Sequence, residues 1–190
     1  MRINTTSYKA LLGNYLLKFI GTFCLLYFGT KAFIGLSTPG NYYLPFMHNY
    51  LDYIGILRSS ILLGAKWILL LFGYHCNVVN TFFLKMQMGR SVHIVYSCLG
   101  YGVMSFWLAF IFANTGSLKR KVLWMVAGVL IIWVINVIRI ALLLLSINNN
   151  WTLFFGIDHH TLFNITSYIF IFIGIYCYDK SYTKTIEGVA

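Results

Sequence analysis

The chain has 190 residues, of which 59% are hydrophobic and only 9% are charged, with a formal net charge of +10. A soluble domain is typically about 45–50% apolar and about 25% charged, so this composition excludes disorder, a fibrous repeat and an ordinary cytosolic enzyme, and fits a polytopic membrane domain. The 14 Lys and Arg against 4 Asp and Glu do not point to a nucleic-acid partner, because the cations stand at the ends of apolar runs and form no basic face.

A spanning helix needs about 20 mainly apolar residues, and five stretches qualify for consideration. The polar start, Met1 to Ala10, precedes a run from Leu11 to Leu36, with Lys18 and Lys31 able to snorkel toward the two surfaces. Lys18 and the lack of a small-residue cleavage site mark this run as a retained helix and not a signal peptide. A polar, aromatic segment follows, Ser37 to Asp52, with Pro39-Gly40, Tyr42-Tyr43 and Pro45. The second stretch, Tyr53 to Tyr74, carries Arg58 and Lys66. From His75 to Tyr96 apolar and polar residues alternate (Leu84, Met86, Met88 against Lys85 and Gln87; Val92 and Ile94 against His93), which predicts a short hairpin at the membrane surface. The third helix is expected from Ser97 to Asn114, then a loop ending in Lys119-Arg120-Lys121, a fourth helix from Val122 to Ile147, a loop, and a fifth from His160 to Tyr178. The expectation is one integral membrane domain over residues 1–190, an all-α polytopic fold of about five transmembrane helices with a hairpin-like segment before the cysteine helix. The dense basic triplet in a short loop favours the cytoplasmic side, which puts the hairpin on the extracytoplasmic one.

None of the four cysteines, Cys24, Cys76, Cys98 and Cys177, forms a Cys-x-x-Cys pair, so no metal centre is expected. Cys24 and Cys177 read as space-filling residues, and a Cys76–Cys98 disulfide is one of the pairings open to the chain.

The informative residues are ionisable or polar groups within apolar runs, which are costly there and are usually functional. Arg139 lies in the last third of the fourth helix, with Asn136 three positions earlier on the same face. Cys98 lies in Ser97-Cys98-Leu99-Gly100, where the glycine allows close backbone approach. His159-His160 opens the fifth helix after Asp158, which by itself also reads as a helix cap with interfacial histidines. Following the chain through two successive crossings brings Cys98, Arg139 and His160 to one membrane face. A histidine there can take the thiol proton and return it to a leaving amine. A guanidinium can stabilise a thiolate or an oxyanion, or bind a substrate carboxylate. The same residues also allow an anion transporter or channel subunit, with Arg139 as the binding charge, or a non-catalytic secretion-system scaffold, with polar residues joining helices.

These motifs resemble the exosortase/archaeosortase family, in which a Cys-x-Gly, an Asn-x-x-Arg and a His-x-x-x-Gly fall on consecutive helices. Here they read Cys98-Leu99-Gly100, Asn136-Val137-Ile138-Arg139 and His160-Thr161-Leu162-Phe163-Asn164, with Asn164 in place of the last glycine. The likeness is good from about Ser97 to Tyr178. It implies a membrane-embedded cysteine protease/transpeptidase with Cys98 as nucleophile, His160 (alternatively His159) as acid/base and Arg139 as thiolate or oxyanion stabiliser. Asn136, Asn164, Arg90 and His93 are the candidate substrate contacts. The implied substrate is a secreted protein ending in a sorting signal with a transmembrane helix. The other implied partners are membrane lipid and an acceptor molecule, with no cofactor. The implied location is the bacterial inner membrane, active site outward, with a link to exopolysaccharide systems.

Overall fold

The computed structural model describes residues 5–38, 44, 46, 51–151 and 159–187, and the side chains of these except 5–11, 159–164 and 182–187. The helices are α1 (Thr5–Ser37), α2 (Tyr53–Leu71), α3 (Tyr101–Ala113), α4 (Leu118–Asn148) and α5 (His159–Glu187). Between α2 and α3 lie β1 (Cys76–Val79), β2 (Phe83–Met86), β3 (Ser91–His93) and a 3-10 turn, Tyr96–Leu99. Among the described residues, Leu12–Ser37, Tyr53–Leu71 and Leu118–Asn148 are long and apolar enough to cross a membrane, and Tyr101–Ala113 is a shorter apolar helix. The protein is a helical membrane protein, as expected. The segment with Pro39-Gly40, Tyr42-Tyr43 and Pro45 lies outside the described residues.

The chain packs as two compact units. One holds α1, α3 and α4 as far as Val129; the other holds α2, the sheet, the 3-10 turn, α4 from Leu130 and α5.

In the first unit, Tyr15, Phe19, Phe23 and Tyr27 recur every fourth residue along α1 and so share one face. Their rings stack at centroid spacings of 6.3, 6.3 and 5.5 Å. Phe106 of α3 meets Phe19 edge-on at 5.3 Å, and Tyr101 stacks on Tyr27 at 5.6 Å. In lipid, helices gain little from hiding apolar surface from one another, so close packing needs small residues and directed bonds. Gly128 of α4 supplies the first: a Cβ there would collide with the indole of Trp107. The second is the Trp107 Nε1–H, which donates to the Trp124 carbonyl at 2.9 Å. The triplet Lys119-Arg120-Lys121 is in the first turn of α4 and not in the preceding loop. Cations oppose the dipole at a helix start, and Lys121 turns back to donate to the Phe112 carbonyl of α3 at 3.0 Å, where a C-terminal end favours it.

In the second unit, Gly64 of α2 faces Val137 and Trp133, and Trp133 Nε1 donates to Ser60 Oγ at 3.0 Å. These pairs, four residues apart on each helix, make α2 and α4 run parallel. The predicted hairpin is a three-stranded antiparallel sheet, β1-β2-β3. The alternation was read correctly. The strands on either side of Gly89-Arg90 form the expected hairpin, and β1 adds a further strand on β2, hidden in the sequence because Val78-Val79 breaks the alternation. Leu84 pairs with Val92 on the buried face, and Lys85 with Ser91 on the exposed one. The sheet does not simply lie beyond the helix ends. At its far turn Gly89-Arg90 meets Asn148, the last residue of α4, whose Oδ1 accepts from Arg90 N at 2.7 Å. At its near turn Phe82 meets Arg58, about 20 Å before the end of α2 at 1.5 Å per residue. The sheet therefore folds back along both helices.

Candidate active site

The Cys98 segment is built by its neighbours in chain order. Ile94 N donates to the Phe82 carbonyl at 2.8 Å and ends the sheet pairing. The chain then tightens into the 3-10 turn Tyr96–Leu99, with Cys98 N bonded to the Val95 carbonyl at 2.9 Å. Gly100 ends the turn with φ 73° and ψ 14°, in the left-handed region. So Cys98 does not open a helix, as its sequence suggests. It sits on a turn, and α3 starts only at Tyr101 after a reversal that favours glycine.

Gly100 is needed for a second reason. A Cβ there would strike the amide of Asn136. Asn136 is wholly buried, and its Nδ2 donates to the Leu99 carbonyl at 3.2 Å. Because a carbonyl only accepts, the amide nitrogen must face Leu99, which leaves Oδ1 buried with no hydrogen-bond partner among the described residues. One turn further along the same face, Arg139 Nη2 donates to Cys98 Sγ at 3.6 Å. The Cys-x-Gly and Asn-x-x-Arg segments thus interlock residue by residue. Asn136 holds the backbone of the turn, and Arg139 reaches its thiol. Cys98 is only 4% exposed, and Arg139 lies about 14 Å before the end of α4.

Helix α5 begins at His159, so both histidines stand in its first turn. The side chains of His159, His160 and Asn164 lie outside the described residues. Arg90 does not lie beside the thiol turn. It is exposed at the β2–β3 turn, and its Nη1 donates to the Ile147 carbonyl at 3.3 Å, satisfying one of the orphan acceptors at the end of α4. His93 is on the exposed face of β3, stacked on Phe83 at 4.5 Å.

All four cysteines are free thiols. Cys76 lines a polar cleft of about 210 Å³ with Lys66, Leu70, His75, Asn77 and Gln87. Burial pushes its thiol above the ordinary value of 9.0, and the charge of Lys66 offsets part of that rise. Among the described residues no group of three or more His, Cys, Asp or Glu is placed to hold a metal ion.

Motif reading passes over Arg58. It is 6% exposed, and its Nε and Nη1 have no hydrogen-bond partner among the described residues. Its guanidinium lies 3.8 Å from the Phe82 ring centroid and 5.3 Å from that of Tyr96. The signal that finds it is the one that finds Arg139, a charge inside an apolar span.

The fold and this site define a helical membrane protein in which a buried thiol is paired with a guanidinium. The family described as transmembrane exosortase (Exosortase_EpsH) matches residues 8–177, and the chain belongs to that family. The resemblance read from the motifs is borne out. Archaeosortase A of Natronomonas pharaonis is 32% identical over 74 residues, which is 39% of this chain and 23% of the length of that relative. No solved structure matches the chain.

Proposed function

We propose that this exosortase-family protein is a cysteine transpeptidase that cleaves C-terminal sorting signals of secreted proteins and passes the new C-terminus to an acceptor. The observation that carries the reading is the Arg139–Cys98 contact at 3.6 Å, on a turn that Asn136 holds from the same helix face. The fixed positive charge of Arg139 balances the thiolate as it forms. The Cys98 sulfur attacks the scissile carbonyl carbon, and the oxyanion that results collapses to a thioester as the C–N bond breaks. The leaving amine takes the proton that left the thiol, with His160, or alternatively His159, as its carrier. A nucleophilic acceptor then attacks the thioester carbonyl and returns the sulfur as thiol. Asn136 Oδ1, which has no hydrogen-bond partner among the described residues, is proposed to accept an amide N–H of the bound segment. Asn164 on α5 completes the set of residues proposed to contact substrate, and Arg90 and His93 form an outer contact along the sheet. The protein sits in a bacterial inner membrane with this site on the extracytoplasmic face. Its sorting-signal substrates are linked to exopolysaccharide systems.

The test is processing of a sorted precursor in cells, read by gel shift, at equal membrane abundance of wild type, Cys98→Ala, Arg139→Ala, His160→Ala and a His159→Ala companion. Loss of cleavage in the first three variants is the expected result, and the companion tells which histidine acts. Normal cleavage by Cys98→Ala would remove the thiol from the mechanism and move a transport or scaffold role to the front.

A further inference from the structure

A guanidinium buried at Arg58 is an unfinished interaction. Arginine stays protonated at any accessible pH, so a site that hides 94% of it keeps a full positive charge out of water. Aromatic faces attract such a charge and offset part of the cost. The rings of Phe82 and Tyr96 do this, at 3.8 and 5.3 Å from the guanidinium carbon. Nε and Nη1 have no hydrogen-bond partner among the described residues. A buried cation with two N–H donors still unpartnered among the described residues matches a carboxylate, whose oxygens accept charge-assisted hydrogen bonds from a guanidinium.

The position says whose carboxylate. Tyr96, whose ring lies over Arg58, and Cys98 are on the same 3-10 turn, about 4 Å apart along its axis. Arg58 therefore borders the turn that carries the thiol, and a group bound there belongs to the segment that the thiol meets. A lipid headgroup phosphate offers the same kind of oxygens, and the precursor series below separates the two sources. We infer that Arg58, beside the rings of Phe82 and Tyr96, is the subsite for one acidic side chain of the protein substrate. The inference rests on the transpeptidase reading above and adds to it a determinant of specificity.

The experiment uses the full-length protein in membranes and a precursor that the wild-type protein cleaves. Arg58→Met and Arg58→Lys are compared with wild type at matched abundance. Each acidic residue near the cleavage point of the precursor is changed in turn to Gln. In parallel, the precursor is co-purified with Cys98→Ala, which the transpeptidase reading expects to hold it uncleaved, and with Cys98→Ala/Arg58→Met. The expected result is a tenfold or greater loss of captured precursor for Arg58→Met, an intermediate loss for Arg58→Lys, and an equal loss for one acid-to-Gln precursor. Combining that precursor with Arg58→Met should cost nothing further. If Arg58→Met fails to accumulate, Arg58→Lys with the precursor series decides the same question. Losses that multiply, or a loss independent of every acidic residue, would overturn the subsite in favour of a structural or lipid-phosphate role while leaving the transpeptidase reading intact. Cleavage that survives Cys98→Ala would overturn both.

Discussion

Gly100 is the position where the two motifs are physically one object, and Gly100→Ala tests that. Its φ of 73° lies in the left-handed region, where a residue with a Cβ costs about 1–2 kcal/mol. The added methyl would also occupy the space of the Asn136 amide. Moving that amide breaks its 3.2 Å bond to Leu99 O and strands buried polar atoms, at about 1–3 kcal/mol. The two effects together amount to about 2–5 kcal/mol, which for a chain of this size lowers the melting temperature by on the order of 10 °C. The measurement is thermal unfolding of the purified protein in detergent, made in both the wild-type and the Asn136→Ala backgrounds. Without the Asn136 amide the steric part disappears, so the methyl should then cost only the backbone part, about 1–2 kcal/mol. A Gly100→Ala protein that melts with wild type, or an equal loss in both backgrounds, would refute the interlock.

Three further outcomes follow from the second unit. The Cys76 thiol is pushed above its ordinary value by burial, so the folded state holds its proton longer than the unfolded chain does. Its contribution to stability is full below about pH 9 and falls as pH rises beyond that; Cys76→Ser should flatten the alkaline side of a melting-temperature profile, and an unchanged slope would count against it. Lys66→Met removes the charge that offsets the rise, and should slow maleimide labelling of Cys76 several-fold at fixed pH when the other cysteines are serines. Asn148→Ala deletes the acceptor of Arg90 N at 2.7 Å and the 2.8 Å bond to Leu144 O. It should cost about 1–3 kcal/mol and speed amide exchange at Arg90, where unaltered exchange would show that the turn is held by other contacts.

Much of this protein is legible in its sequence because the signals are local. Apolar length gives the spans, alternation gives Leu84 and Val92 a common face, and the spacing of Asn136 to Arg139 puts both on one side of α4 whatever they touch. The order of the three motifs carried the family. What sequence could not supply depends on backbone conformation and on approach between distant segments. That Cys98 sits on a 3-10 turn is decided by Gly100, whose left-handed φ lets the chain reverse before α3. Arg90 precedes Cys98 by eight residues, yet its side chain is fastened to the end of α4, a contact between segments far apart in the chain. Arg58 is 38 residues before Tyr96 in the chain and becomes its neighbour only because the sheet folds back along α2. Charge, periodicity and spacing are properties of a segment, and sequence determined those. Which buried donor is satisfied, and which is left waiting, is a property of the packed whole, and tertiary structure alone decided it.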